Sequence, residues 1–421
     1  MIDSKMRRWL DDHIKKLNLV DTMEQPNGFT RLSYSEEEWQ SIDVFCSVAE
    51  QLGLQVRQDE AGNRIARWDV ESDVNHTLPA VTVGSHVDTV TNGGGYDGVA
   101  GVLCGLGAIK QLKDEGFEPA FPLEVICFAS EESARFGVST IGSKAMSGIL
   151  ETDALADVRD QDGISVREAV EERGLSWSNI THSERNKDEI KSFVELHIEQ
   201  GVRVEDANAQ FGVATAIACP IRLQVQVEGK MGHTGTTPMG KRQDALVAIS
   251  PLVSFVSEKA EQLSNESSYP IVATVSTLTV KPNVMNVIPG FVKVGIDIRS
   301  VDDELKKKME SLIRDQCENL ENQYDVKINV NTLVHNASVS LDQALALKLK
   351  RLGEEVGYKS FVMESGAGHD VMNMAKKWPS GLIFIPCRDG LSHHPEEHAS
   401  LEDLERGVNI ITAYLKKEAS E

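Results

Sequence analysis

Apolar and polar positions change their rhythm several times along this 421-residue chain. Residues 4–19 and 35–52 repeat apolar side chains at helical spacing, which predicts two amphipathic helices. From about residue 78, short apolar runs alternate with helical stretches. LPAVTVGSH (78–86) reads as a buried strand with a polar tip, and GVAGVLCGLGAIKQLKDEG (98–116) as a helix closed by Gly116. FPLEVICFASEE (121–132) and SFVELHIEQG (192–201) are two more buried strands with ionisable ends. Strands alternating with helices predict an α/β domain with a mostly parallel sheet. The middle of the chain has period two instead: IRLQVQVE (221–228), IVATVSTLTV (271–280) and FVKVGIDI (291–298). That pattern predicts an antiparallel sheet with one wet face, and a helix at about 242–264 lies between its first two strands. After about residue 333 the chain returns to a helix (341–356) and an apolar strand, GLIFIP (381–386). The fold class is therefore α/β, a mixed and mostly parallel sheet flanked by helices, with an inserted α+β domain. The first domain takes residues 1–213 and 332–421, and the insertion takes 214–331.

Ligands of open α/β sheets bind beyond the carboxyl ends of the strands, and the ionisable residues gather there in five segments. Gly84-Ser85-His86-Val87-Asp88 places Asp88 two residues after His86, where a carboxylate can fix the imidazole tautomer. In Gly93-Gly94-Gly95-Tyr96-Asp97-Gly98, glycines permit a backbone that aims one carboxylate at a neighbouring ion. Ser130-Glu131-Glu132 offers two adjacent carboxylates that diverge, so one can ligate while the other moves protons. Glu195-Leu196-His197-Ile198-Glu199-Gln200-Gly201 and Gly390-Leu391-Ser392-His393-His394-Pro395 complete the set. Each alone has a plainer reading: a structural histidine, a turn-forming Asp, a solvated acidic pair. Their joint occurrence at successive strand ends favours a site. Imidazole and carboxylate donors without thiolate suit Zn²⁺, with Mn²⁺, Co²⁺ and Ni²⁺ as alternatives. Three His and two or three carboxylates fit two ions bridged by one carboxylate, a pair that activates water and polarises a carbonyl.

Composition narrows the partners. Hydrophobic residues make up 41% and charged residues 26%, enough for a large core without disulfides. The net charge of -22 leaves no basic footprint for nucleic acid or for an anionic membrane surface. A solvated acidic surface accounts for most of that charge, and a carboxylate-rich site for the rest. No two of the six cysteines form a CxxC pair, and several lie in apolar runs, as reduced core thiols of a cytoplasmic protein do. The charged, amphipathic N-terminus has no secretory signal pattern, and no apolar run approaches the roughly 18 residues of a membrane span.

The stretches GSHVDTVTNGGGYDGVAGV, SEESARFG, ELHIEQG, MGHTGTTPM, NVIPG, DIRS, SGAGHD and LSHHPEEH occur in that order. Together they resemble the di-zinc exopeptidase and aminoacylase superfamily, and more narrowly its hydantoinase/carbamoylase amidases. The resemblance runs from about residue 25 to 415. It implies two divalent ions per subunit on His86, Asp97, Glu132, His197 and His393, with Asp97 as the bridge. It makes Glu131 the general acid/base and Asp88 the residue orienting His86. His233 matches a substrate-binding and oxyanion-stabilising histidine. Asn286 and Arg299 match residues that hold a substrate carboxylate, with Gln200 beside them. These reach the site from a partner subunit or by domain closure, since family members are dimers and the insertion serves as dimerisation and lid domain. The family pattern Ser-His-x-Pro-x-Glu puts the ligand at His393 and leaves His394 variable. His369-Asp370 fits as a supporting pair at the site rim. His13, His76, His182 and His335 match no motif and read as surface residues. The implied activity is hydrolysis of the carbamoyl (ureido) C–N bond of N-carbamoyl-L-amino acids or related ureido acids. The alternatives with the same site are allantoate or ureidoglycolate hydrolysis, or N-acyl amino acid hydrolysis. SEESARFG carries no signature of one substrate among these. A metal-binding receptor that kept the fold and lost catalysis is disfavoured, because Glu131 and every expected ligand are present.

Overall fold

The computed structural model describes residues 4–71, 73 and 77–420. They divide into two compact units: Met1–Thr215 with Ser340–Met363 and His369–Glu421, and Ala216–Val339 with Glu364–Gly368.

The first unit is built on a nine-stranded sheet. Four of its strands are parallel neighbours, in the order Leu123–Phe128, Ala80–His86, Ile190–Ile198 and Ser380–Ile385. Antiparallel strands extend both sides, Arg64–Trp68 against Leu123–Phe128 and Phe211–Ile217 against Ser380–Ile385. All residues of Ala80–His86, Leu123–Phe128 and Ser380–Ile385 are buried. That is why these segments read as continuous apolar runs rather than as alternating ones. Helices Lys5–Leu17, Val99–Asp114, Gln343–Glu355 and Leu401–Glu418 share one hydrophobic core with the sheet. Their starts are set chemically where a polar side chain accepts a first-turn N–H, as Ser4 does from Arg7 and Ser400 from Asp403. The parallel strands all end on one side, so the segments following them, 87–98, 129–132, 199–201 and 386–398, emerge together.

The second unit holds a four-stranded antiparallel sheet in the order Lys327–His335, Ile221–Glu228, Phe291–Arg299 and Val272–Lys281. One face packs on Ala245–Glu266 and Asp303–Tyr324, burying Ile221, Leu223, Val225 and Val227 of one strand and Val292, Val294, Ile296 and Ile298 of its neighbour. The edge strand Val272–Lys281 exposes Val272 and Leu278. The observed limit at Val339 corrects the expected one at 331, which falls inside Lys327–His335, a strand of this same sheet.

The six cysteines are free, five of them buried and Cys46 partly so. His182 and His335 are exposed as expected, and His76 lies outside the described residues. His13 is not a surface residue: it is 8% exposed, stacks on Trp9 and bonds the Trp9 carbonyl through Nδ1 at 2.7 Å. Among the described residues no helix is long and apolar enough to cross a membrane.

Candidate metal centre

Each of the four parallel strands, taken with the segment that follows it, delivers one or two of the expected donors. His86 is the last residue of its strand. The chain then loops back over it, and a Cβ at Gly98 (φ +65°) would lie 2.5 Å from the imidazole, so only glycine allows that approach. Ser130, at φ +57°, turns the chain after Leu123–Phe128. Two buried carboxylates hold this turn. Asp88 accepts the N–H of Glu131 through Oδ1 (3.1 Å) and that of Glu132 through Oδ2 (2.9 Å), while Glu38 accepts the N–H of Ser130 at 2.8 Å. Asp88 also faces His86 Nδ1, with its Oδ1 at 3.3 Å and its backbone oxygen at 3.1 Å. It therefore ties the imidazole to the acidic pair, a wider role than the one read from its spacing. Glu38, on the helix Glu36–Gln51, carries no motif and was not singled out from sequence.

The donors fall into two groups that share Asp97: His86, Asp97 and His197, and Asp97, Glu132 and His393. Within each group the donor atoms lie within 4.8 Å of one another. Asp97 Oδ1 is 3.4 Å from His86 Nε2 and 3.0 Å from His197 Nε2, while its Oδ2 is 3.3 Å from His393 Nε2. Glu132 Oε1 is 3.2 Å from His393 Nε2. His197 directs Nδ1 at the Ile198 carbonyl (2.9 Å), and its Nε2 accepts from the N–H of Gly98 at 3.2 Å. Both core imidazoles thus have their Nδ1 engaged behind them and turn Nε2 toward the carboxylate, the tautomer a metal needs. His393, at φ +55°, is the open side of the cluster, its side chain 49% exposed. Positive φ at a non-glycine residue is strained backbone of the kind that collects at functional sites, and Ser130, Gln200 and His393 all carry it.

The electrostatics call for positive charge. Burial penalises the charged forms of His86 and His197, yet the facing carboxylates overcome this and raise both pKa values. His393, bonded to Asp97 and Glu132, is raised to about 11. Burial opposes ionisation of Asp97, but His197, His393 and His86 hold it well below the usual carboxylate range. Glu131 is pushed the other way: burial, with Glu132 and Asp370 nearby, raises it well above an ordinary glutamate against the pull of His86. A pocket that drives three imidazoles toward protonation, in which all the donors are nitrogen or carboxylate oxygen, fits divalent cations.

Gln200 donates from Nε2 to Asp97 Oδ2 (2.7 Å) and Ser392 Oγ (3.0 Å), so it sits beside the donor cluster. His369 and Asp370 are buried at 1% and 0% exposure rather than lying at a rim. The His369 ring is 4.4 Å from that of His197, and Asp370 accepts from the Ser143 hydroxyl. The three remaining candidates belong to the second unit. His233 and Asn286 are exposed and near one another on the pair of short strands Gly232–His233 and Val287–Ile288 and the loop beside it. Arg299 ends its strand with Nε 2.8 Å from Asp297 Oδ1 and Nη1 3.0 Å from the Gly366 carbonyl. Its acidic partner is Asp297, two residues earlier on the same strand.

The model of peptidase family M20/M25/M40 matches residues 82–417. The chain is 35% identical, over 94% of its length and 95% of the relative's, to an N-carbamoyl-L-amino acid amidohydrolase of Geobacillus stearothermophilus. It is 34% identical, over 93% and 92%, to an allantoate amidohydrolase of Bacillus subtilis. Among solved structures, an amidase of the hydantoinase/carbamoylase family from Burkholderia multivorans superposes with a TM-score of 0.86 at 28% identity, covering 99% of this chain and 98% of that one.

Proposed function

The chain belongs to peptidase family M20/M25/M40, and on that premise we propose that it is a metal-dependent amidohydrolase of ureido acids, cleaving the carbamoyl C–N bond of N-carbamoyl-L-amino acids. The observation that carries the reading is the pair of donor groups joined through Asp97, with Glu131 alongside. It hydrolyses non-peptide linear amide C–N bonds, as amidohydrolases that resemble it over nearly their full length do.

His86, Asp97 and His197 would hold one divalent ion, and Asp97, Glu132 and His393 the other. Such a pair supplies Lewis-acid polarisation of the carbonyl and acidification of a water. Glu131 takes the proton from the attacking water and delivers it to the departing nitrogen. Its raised pKa suits both halves of that task, because a carboxyl poised above the usual range can hold the proton between steps. Arg299 and Asn286 grip a substrate carboxylate, and His233 donates to the oxygen that gains charge as the carbonyl is attacked.

Turnover of a panel of N-carbamoyl, N-acyl and ureido acids, allantoate and ureidoglycolate among them, with Zn²⁺, Mn²⁺ or Co²⁺ added, tests the reading. Highest kcat/KM on an N-carbamoyl-L-amino acid is expected. Preference for allantoate would move the assignment to the activity of the Bacillus relative, and no hydrolysis of any member would overturn the proposal. The metal reading has its own check. Metal analysis after mild dialysis should return two ions per chain, one after His393→Ala and none tightly held after Asp97→Ala. Full activity without any transition metal would contradict it.

A further inference from the structure

Two of the segments that carry donors, 93–98 and 390–398, are distant in sequence, and their contact converges on one side chain. Glu397 is 5% exposed. Its Oε1 accepts the N–H groups of Tyr96 and Asp97, both at 2.9 Å. Its Oε2 accepts the N–H of His393 at 3.3 Å and lies 3.2 Å from the Ser392 hydroxyl, which it shares with Asp97 Oδ2 at 3.0 Å. The carboxylate's hydrogen bonds go to backbone N–H groups and to the Ser392 hydroxyl. It binds the backbone of one donor, Asp97, through one oxygen and that of another, His393, through the other. The seat it occupies is made by an absent side chain, since a Cβ on Gly94 would fall 2.1 Å from the Glu397 carboxyl carbon. The triple glycine therefore does two jobs: it turns the chain, and it leaves a socket for a carboxylate from 300 residues away.

We propose that Glu397 is the positioning residue of the Asp97–Glu132–His393 half of the centre, fastening the His393 loop to the Asp97 loop so that the second divalent ion meets preformed donors. The inference rests on the two-metal reading above. His393 depends on it most, being the most exposed donor and held at a positive φ that its own side chain does not favour. The first group keeps its own supports, since His86 is braced by Asp88 and His197 by the Ile198 carbonyl.

Zn²⁺ titration of chelator-stripped protein against a chromophoric competitor reads this directly, without activity. Glu397→Gln keeps the volume but turns an NH2 group toward backbone N–H donors, so one of the two loops loses its acceptor. Gly94→Ala keeps the glutamate but fills its seat, so the carboxylate is displaced. Wild type should bind two ions. Both variants should bind the second ion roughly 10–100-fold more weakly, as loss of supporting partners does at metal sites, and the first, whose His86 and His197 keep their own supports, should weaken distinctly less. Glu397→Asp, which retains the charge, should recover part of the loss. Two wild-type affinities in Glu397→Gln would overturn the positioning role and leave the metal reading intact. So would equal weakening of both ions together with a lowered Tm, which would mark Glu397 as a general structural residue. A wild type that binds no zinc would overturn both.

Discussion

Glu131→Gln is expected to fold, to bind two metal ions and substrate, and to lose turnover by roughly a hundred- to ten-thousand-fold, the contribution typical of a positioned general acid/base. The substitution preserves shape and hydrogen-bonding reach while removing the only function assigned to that carboxyl. Glu131 is 8% exposed, and its Oε2 is 3.9 Å from His86 Nε2, beside the cluster. Its backbone is fixed by Asp88, so the variant has no reason to move. Glu132→Gln provides the contrast. Glu132 is in the second donor group, so its loss should appear first in metal content and only then in rate. Measuring kcat and bound zinc on both variants separates the two roles. Near-normal kcat in Glu131→Gln would mean that another group moves the proton.

Arg299→Lys should lower kcat/KM for a carboxylate substrate by roughly tenfold to a hundredfold, the worth of one hydrogen bond to a charged group at about 1.5–3 kcal/mol. The guanidinium is anchored by Asp297 and the Gly366 carbonyl through Nε and Nη1, with a further long contact from Nη2 to Asp297 at 3.5 Å. One hydrogen on each terminal nitrogen is left over for hydrogen bonds to a substrate carboxylate. A lysine ammonium keeps the charge but cannot hold Asp297, Gly366 and a ligand in that plane. The acid and amide forms of one carbamoyl amino acid, assayed with both proteins, make the comparison. The wild type should prefer the acid strongly, and the variant should lose most of that preference. An unchanged acid-to-amide ratio with a lowered Tm would assign Arg299 to the Asp297 and Arg222 ion-pair cluster of its sheet instead.

The parallel strands and the polar tips of their sequences were legible because fully buried strands are written as unbroken apolar runs. The alternating strands 221–228 and 291–298 were legible for the opposite reason, one wet face. The helix Asp303–Tyr324 escaped notice although Leu305, Met309, Ile313, Cys317 and Leu320 lie on one buried stripe. Charged residues between them mask that stripe in any local average. The strand Lys327–His335 was cut in two by the expected boundary, since its alternation breaks at a bulge between Thr332 and Val334. The residues that cluster at the strand ends, and Asp88 behind His86, could be named from sequence, but two other carboxylates that hold their loops were not. Glu38 and Glu397 act on backbone groups 92 and 300 residues distant, and no local pattern encodes such a contact. Gly94 signals only a turn until its neighbour across the fold is known.

The place of Ser380–Ile385 in the sheet has a consequence for how the chain is made. This strand is inserted between Ile190–Ile198 and Phe211–Ile217, yet it leaves the ribosome only after all of 216–339. The second unit, nearly continuous in sequence, can close its own core while the first still has an open seam in the middle of its sheet. Two unpaired, apolar strand edges border that seam throughout, the kind of edge other chains can pair with. During synthesis the protein's exposure to aggregation is thus greatest just before its last parallel strand arrives, and the loop bearing His393 follows only once that seam can close.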